Sequence, residues 1–525
     1  MAIIFAVALS SRAFRAPFQT RELRGLAEIV HFGSAGGIDT GRRPLLETVK
    51  NQPQLIAYAD RFSAGGFRQL QSLLQGPLKG VFGGVHVLPF FYPIDGVDAG
   101  FDPIDHTRVD PRLGAWDDVR ALGEHVEIMA DLIVNHISSR SPQFLDYDER
   151  GGESPYSGMF LTYPSIFKEG ASEADLLQLY RPRPGLPFTN YQLKHGEQRL
   201  LWTTFTGEQI DIDVHHTEGK RYLETILRQF HAAGIRAIRL DAVGYAIKKA
   251  GTSCFMIPET FAFIAELTAQ AHTLGIEVLV EIHSHYLEQI EIAKQVDLVY
   301  DFALPPLILH TLYTRNARHL KRWFEIRPRN AVTVLDTHDG IGVLDVGGDR
   351  KGGNLPGLLT PEEVDALVET IHHRSHNESR QATGAAANNL DLYQVNCTFY
   401  DALGRSDDEY LIARALQLFT PGVPQIYYVG MLAGANDMNL LRRTGVGRDI
   451  NRHYYSNEEI HSELMRPVVR SLLDLIRFRN THPAFAGEFH LRPTNDDEIC
   501  VEWFKGSERA RLQVDLKSMH FEVAS

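Results

Sequence analysis

Only three cysteines stand in the 525 residues, Cys254, Cys397 and Cys500, widely spaced and with no CxxC pair. That scarcity and odd number argue against a disulfide scaffold or a thiolate zinc site, and they fit a reducing, cytoplasmic setting. Excess positive charge is missing too, since 53 Lys and Arg face 66 Asp and Glu for a net charge of −13. No nucleic acid and no anionic membrane is therefore expected as a partner, although a local basic pocket stays open. The chain also lacks an apolar run of the ~20 residues that span a bilayer. Its apolar start, Met1-Ala-Ile-Ile-Phe-Ala-Val-Ala-Leu9, is short and has no basic n-region, so an export signal is disfavoured. Residues 10–48 scatter Arg, Gly and Ser with little periodicity, and 1–48 is expected to be a poorly ordered extension or a gene start placed too early. Low-complexity runs and short-period repeats are absent.

From residue 54 onwards a regular alternation begins. Hydrophobic content of 44% and charged content of 23% are those of an ordinary globular enzyme, and the length implies one large domain with additions. Apolar runs that suit strands buried on both faces occur at 54–60, 84–91, 126–136, 235–245, 275–283, 296–302, 330–339 and 423–429. Helical patterns fall between them, including 65–77, 115–125, 217–233, 258–273 and 408–418, with a long closing helix at 461–480. Eight such strands with right-handed helical crossovers predict an α/β fold, a (β/α)8 TIM barrel. Two stretches break the rhythm, 137–215 and 340–404, and read as inserted, loop-rich subdomains. The barrel then occupies 49–136, 216–339 and 405–484, and the alternating tail 485–525 reads as a small C-terminal antiparallel β domain.

Four of the strands close on polar groups: His136 after the third, Arg239 and Asp241 on the fourth, Glu281 and His283 on the fifth, His338 and Asp339 on the seventh. A single strand-end acid is more often a cap or an ion pair. Four coincident ends at the C-terminal mouth of a barrel point to chemistry. Metal catalysis is disfavoured because no HxH or HExxH spacing appears and Arg239 would compete for the charge of Asp241. Glycosyl transfer with retention fits better: one ionised carboxylate attacks the anomeric carbon, and a second of raised pKa donates and later takes a proton. Arg239 is expected to hold Asp241 ionised. Glu281 has no basic neighbour in its strand and sits among Val278, Leu279, Val280 and Ile282, which suits an acid/base. Asp339 would stabilise positive charge developing on the sugar ring.

These strand ends resemble the four sequence regions of the α-amylase superfamily (glycoside hydrolase family 13): Asp131-Leu-Ile-Val-Asn-His136, Ile238-Arg-Leu-Asp-Ala242, Glu281 and Leu335-Asp-Thr-His-Asp339. From about residue 49 to the C-terminus the chain further resembles the sucrose phosphorylases. The segments carrying that likeness are Gly96-Val-Asp-Ala-Gly-Phe-Asp-Pro-Ile-Asp-His106, Tyr180-Arg-Pro-Arg-Pro-Gly-Leu-Pro-Phe188, Ala250-Gly-Thr-Ser-Cys254, Leu390-Asp-Leu-Tyr-Gln394 and Gly447-Arg-Asp-Ile-Asn-Arg-His-Tyr-Tyr455. The resemblance implies Asp241 as nucleophile, Glu281 as acid/base and Asp339 as transition-state stabiliser. It lines a glucosyl subsite with Asp98, Phe101, His136, Arg239, Tyr245, His283, His338 and Arg448.

On the acceptor side it implies Arg183, Phe205, Asp391, Leu392, Tyr393 and Gln394. Arg183 and Tyr393 would donate to phosphate, while Asp391 and Gln394 would meet fructose hydroxyls. The expected ligands are sucrose, inorganic phosphate, glucose 1-phosphate and fructose, with no cofactor; a homodimer is compatible with the resemblance. Pro184 and Tyr393 stand where relatives acting on sucrose 6'-phosphate carry more basic loops, which favours unphosphorylated sucrose. Calcium is not implied, because Asn135 alone cannot supply six to eight oxygens.

Overall fold

A computed structural model describes residues 51–62, 65–96, 98–182, 185–348, 355–386 and 394–525. Eight strands form its centre: β1 (Gln54–Ala57), β2 (Gly84–Val87), β3 (Glu127–Ile133), β4 (Ala237–Asp241), β5 (Glu277–Val280), β6 (Leu298–Asp301), β7 (Ala331–Thr333) and β8 (Val423–Tyr427). Each pairs in parallel with its neighbours in sequence, and β1 pairs with β8, so the sheet closes into a barrel. The reason lies in the side chains: all four residues of β1, β2 and β6 are buried, as are all five of β8. Strands buried on both faces need helices outside and a packed interior, which a closed barrel supplies. The crossover helix Thr217–Ala232 shows the outer layer, with Leu223, Ile226, Leu227 and Phe230 buried at helical spacing. The expected (β/α)8 barrel is what the chain forms.

The strands stop earlier than the apolar runs suggest. β5 ends at Val280 and β7 at Thr333, while His136 opens a separate short strand, His136–Ser138. Past Thr333 the chain leaves the ladder because Asp336 turns to Arg414, whose Nη2 lies 2.7 and 2.8 Å from its two carboxylate oxygens. A Cβ on Gly430 would sit 1.9 Å from Asp336 Oδ2, so only glycine leaves room for that pair. The closing helix expected at 461–480 is instead two helices, Asn457–Glu463 and Pro467–Thr481. Pro467 has no N–H to continue the first and sits at the start of the second, where none is needed.

Residues 137–215 contain helix Pro142–Arg150 and a hairpin of Phe188–Gln192 with Gln198–Trp202. Leu161, Phe167, Leu179 and Trp202 there share an apolar cluster with Cys254. The segment's two ends are stitched together where His136–Ser138 pairs with Gln209–Asp211. After the barrel, β9 (Glu488–Arg492), β10 (Glu498–Lys505), β11 (Glu508–Asp515) and β12 (His520–Ala524) form the expected antiparallel sheet. Trp503 anchors it by donating Nε1–H to the Phe419 carbonyl at 2.8 Å. Among the described residues no helix is long and apolar enough to cross a membrane. The expectation of a poorly ordered 1–48 lies outside the described residues.

Candidate active site

Alternate residues of a strand face the same side, so Arg239 and Asp241 of β4 point together. Arg239 is 3% exposed and serves three acids at once. Its Nη1 lies 2.6 Å from Asp131 Oδ1 and 2.9 Å from Asp241 Oδ1, and its Nη2 lies 3.3 Å from Glu281 Oε1. Asp131 is the register partner of Arg239 on β3 and also contacts His86 Nε2 at 3.1 Å. Burial raises the Asp131 carboxyl, but His86 and Arg239 outweigh it and bring it to about 2.

Glu281 has no basic neighbour in its own strand, as read from the sequence, but the adjacent strand supplies Arg239. One sequence expectation is corrected: Arg239 does not by itself hold Asp241 in the ionised form. Burial pushes Asp241 well above the usual carboxylate range; Arg239 opposes this, while the charges of Glu281, Asp131 and Asp98 add to it. One guanidinium divided among three carboxylates neutralises none of them fully. Directly after Asp241, Ala242 has a φ of 54°, a left-handed conformation that is costly for alanine, and its N–H reaches Glu281 Oε2 at 3.4 Å.

Asp339 has the opposite environment. Burial raises its carboxyl, but Arg448, His338, Arg452 and Arg239 together hold it well below the usual range. Arg448 Nη1 lies 2.9 Å from Asp339 Oδ1 and 4.0 Å from Asp98 Oδ1, so one cation joins two of the expected sugar-binding acids. Burial, foremost, keeps His338 well below its ordinary value and thus neutral at pH 7. Its ring stacks on Phe101 with centroids 4.8 Å apart and planes at 13°.

A second wall is aromatic. His136 contacts the Phe101 carbonyl at 3.1 Å and Gln209 Nε2 at 3.0 Å through Nε2, and its ring meets Phe205 at 5.3 Å. Phe205 then meets Tyr245 edge-on at 5.3 Å, and Phe255 bridges Tyr245 at 4.8 Å to Tyr180 at 4.3 Å. Gly244 permits this packing, since a Cβ there would approach the Phe255 ring to 2.6 Å. Below the wall, the buried Lys248 ammonium sits 2.8 Å from Asn135 Oδ1 and 2.7 Å from Asp211 Oδ2, and it also donates to the Tyr245 carbonyl. An ammonium thus occupies the oxygen cluster around Asn135.

His283 stacks on Phe302 at 3.9 Å, and Gln394 Nε2 lies 3.4 Å from its Nε2. Burial lowers its pKa, but the Asp345 carboxylate more than compensates, with Glu281 and Asp339 adding to the rise. Arg183, Asp391, Leu392 and Tyr393 lie outside the described residues.

The site opens on one cavity of about 1830 Å³, larger than the ~300–1,000 Å³ of ordinary small-molecule sites. Asp241, Glu281 and Asp339 line it, as do Phe205, Gln394 and every glucosyl-side candidate except Arg239, which lies beneath. The sequence reading missed Asp131, Gln209, Lys248, Asp345, Tyr180 and Phe255. Asp131 and Tyr180 stand at the heads of segments that carry the family likeness, but no role was assigned to either, and the other four left no trace.

A family model for the α-amylase catalytic domain matches residues 80–337. A sucrose phosphorylase of Agrobacterium vitis is 63% identical over 466 residues, covering 89% of this chain and 95% of its own length. The chain belongs to the sucrose phosphorylase family, within the α-amylase superfamily. A second sucrose phosphorylase, from Bifidobacterium adolescentis, is 55% identical and covers 89% of this chain and 93% of its own. The crystal structure of a sucrose 6F-phosphate phosphorylase from Thermoanaerobacter thermosaccharolyticum superposes with a TM-score of 0.83 at 39% identity, covering 90% of this chain and 95% of that one. As a member of this family the protein is a glycosyl-transferring phosphorylase enzyme.

Proposed function

We propose that the protein catalyses the reversible phosphorolysis of sucrose to α-glucose 1-phosphate and fructose, with retention at the anomeric carbon. The observation that carries this is the clustering of Asp241 and Glu281 on the two nitrogens of one buried guanidinium, with Asp339 across the same cavity. Retaining enzymes keep their two carboxyls about 5–5.5 Å apart, and a shared fork favours such closeness. The 63% and 55% identities to sucrose phosphorylases support sucrose over other glucosides.

Asp241 attacks C1 of the glucosyl unit, the bond to the fructosyl oxygen breaks, and Glu281 protonates that oxygen. Fructose leaves and a β-glucosyl ester remains on Asp241. A phosphate oxygen then attacks C1, the ester bond breaks, and Glu281 receives the proton back. The shorter contact, 2.9 Å from Arg239 to Asp241 against 3.3 Å to Glu281, favours Asp241 as the nucleophile and leaves Glu281 the acid/base role. Asp339, kept ionised by Arg448, faces the positive charge that develops on the ring. Phe101 and Tyr245 offer flat faces to the sugar, and Asp98 and Arg448 suit distal hydroxyls.

On the acceptor side, Arg183 and Tyr393 bind phosphate, and Asp391 and Gln394, flanked by Leu392, meet fructose. Transglucosylation and slow hydrolysis follow when another hydroxyl or water takes the place of phosphate. Incubation with sucrose, with and without phosphate, tests the reading. Glucose 1-phosphate should accumulate only with phosphate; free glucose at equal rates in both would refute it. Initial rates on sucrose 6'-phosphate, glucosylglycerol and glucosylglycerate test the choice of glucoside.

A further inference from the structure

Away from the three acids, the same cavity runs out past Thr360, Pro361 and Val364 to His319. Three helices meet there: Leu304–Thr314 brings His310, Arg318–Ile326 brings His319, and Pro361–Arg374 brings Glu363. His319 Nε2 lies 3.2 Å and His310 Nε2 3.9 Å from the same oxygen, Glu363 Oε1. The two rings are edge to face with centroids 5.2 Å apart. One ligand atom from each of the three residues lies within 4.8 Å of the others.

An ordinary ion pair explains only part of this. His319 has a hydrogen bond to Glu363. His310 is 6% exposed, its Nδ1 is buried without a partner, and its Nε2 stands beyond hydrogen-bond range of the carboxylate. A group seated between that Nε2 and Glu363 Oε1 would give the ring the partner it lacks at 3.9 Å. Glu363 is meanwhile held in place: its Oε2 accepts from Thr360 N at 2.8 Å, which turns Oε1 to the rings. Ligand atoms around a tetrahedral ion with bonds of about 2.0–2.1 Å lie roughly 3.3 Å apart; His319 to Glu363 at 3.2 Å matches this, and His310 at 3.9 Å needs only a small ring movement to do so.

We propose that His310, His319 and Glu363 bind a transition-metal dication of the zinc class at the outer end of the cavity. Two imidazoles and one carboxylate suit zinc, cobalt or nickel and not calcium or magnesium, which want oxygen shells. A water from the cavity completes the fourth position. The ion ties three helices behind the segment whose Pro356 carbonyl is held by His285 at 3.2 Å, and so stiffens the outer wall of the cavity. Spacing searches miss the set because its members lie 9 and 44 positions apart.

Cobalt(II) binding to the full chain tests this. Glu281, His283 and Asp339 form a second cluster of the same dimensions, so the titration is run in a Glu281→Gln background. The expected result is one Co²⁺ per chain, retained through gel filtration, with the visible absorption of a four- or five-coordinate ion and a rise in Tm. Glu363→Gln keeps the helix cap, since glutamine also serves at that position. It should weaken Co²⁺ binding at least tenfold, and His310→Ala should abolish the band. Failure of the parent chain to retain cobalt, binding unchanged by Glu363→Gln, or equal displacement by calcium would each overturn the assignment. Because Glu363→Gln preserves local structure, misfolding of His310→Ala leaves the test decisive.

Discussion

Asp345 Oδ2 lies 3.2 Å from His283 Nδ1, and Asp345 is fully buried. Ser284 N and Gln289 Nε2 donate to its other oxygen at 3.3 and 2.5 Å, so the carboxylate is fixed before it meets the ring. His283 therefore faces the cavity beside Glu281 and Asp339 with its pKa raised.

Asp345→Asn should remove that rise. A histidine raised above its unfolded value of about 6.5 contributes stability that is full below that pH and is lost as pH climbs through the folded pKa. The variant should lose this contribution, and the alkaline limb of kcat/KM for phosphorolysis should move to lower pH. A loss on the order of tenfold near pH 7, about 1.4 kcal/mol in the barrier, is expected. A pH–rate profile of both proteins checks it.

Asp241→Asn should abolish turnover, by about 10⁴-fold or more. It should also raise Tm at pH 7. The folded carboxyl is pushed above its unfolded value of about 3.9, so ionisation at neutral pH favours the unfolded chain, and an amide removes that bias. Calorimetry at pH 7 and at pH 4 tests the sign: the gain should shrink at the lower pH.

Lys248→Met should destabilise the protein by roughly 3–5 kcal/mol, because it strands the buried Asp211 carboxylate without its cation. Denaturant melts give the value. A change below about 1 kcal/mol would show that Asn135 and Asp211 are satisfied some other way.

Arg183→Ala should raise the KM for phosphate at least tenfold and leave the hydrolysis of sucrose without phosphate nearly intact. Equal loss of both would remove Arg183 from the phosphate role.

The barrel was legible because its strands are buried on both faces and leave unbroken apolar runs such as Val278-Leu-Val280. Their ends were not, because departure from the ladder is decided by distant partners, as when Arg414 draws in Asp336. The acids were found by their place at the mouth. Their charge states were not, since the guanidinium from β4 reaches Glu281 across a register that only the folded barrel defines. Asp345 stands 62 positions from His283, and Tyr180 and Phe255 lie in irregular segments without any period to betray them.

Closure of the barrel depends on the seam between β1 and β8, where Gln425 Nε2 donates to Gln54 Oε1 at 2.8 Å across 371 positions of chain. At about 5–20 residues per second of synthesis, β1 waits roughly 20–75 s for its second neighbour to be made. Through that interval a strand built to be buried on both faces keeps one open hydrogen-bonding edge. Nascent chains of this protein are accordingly most prone to aggregate just before Tyr427 emerges, and a holdase should improve their yield more than it improves the refolding of finished chains.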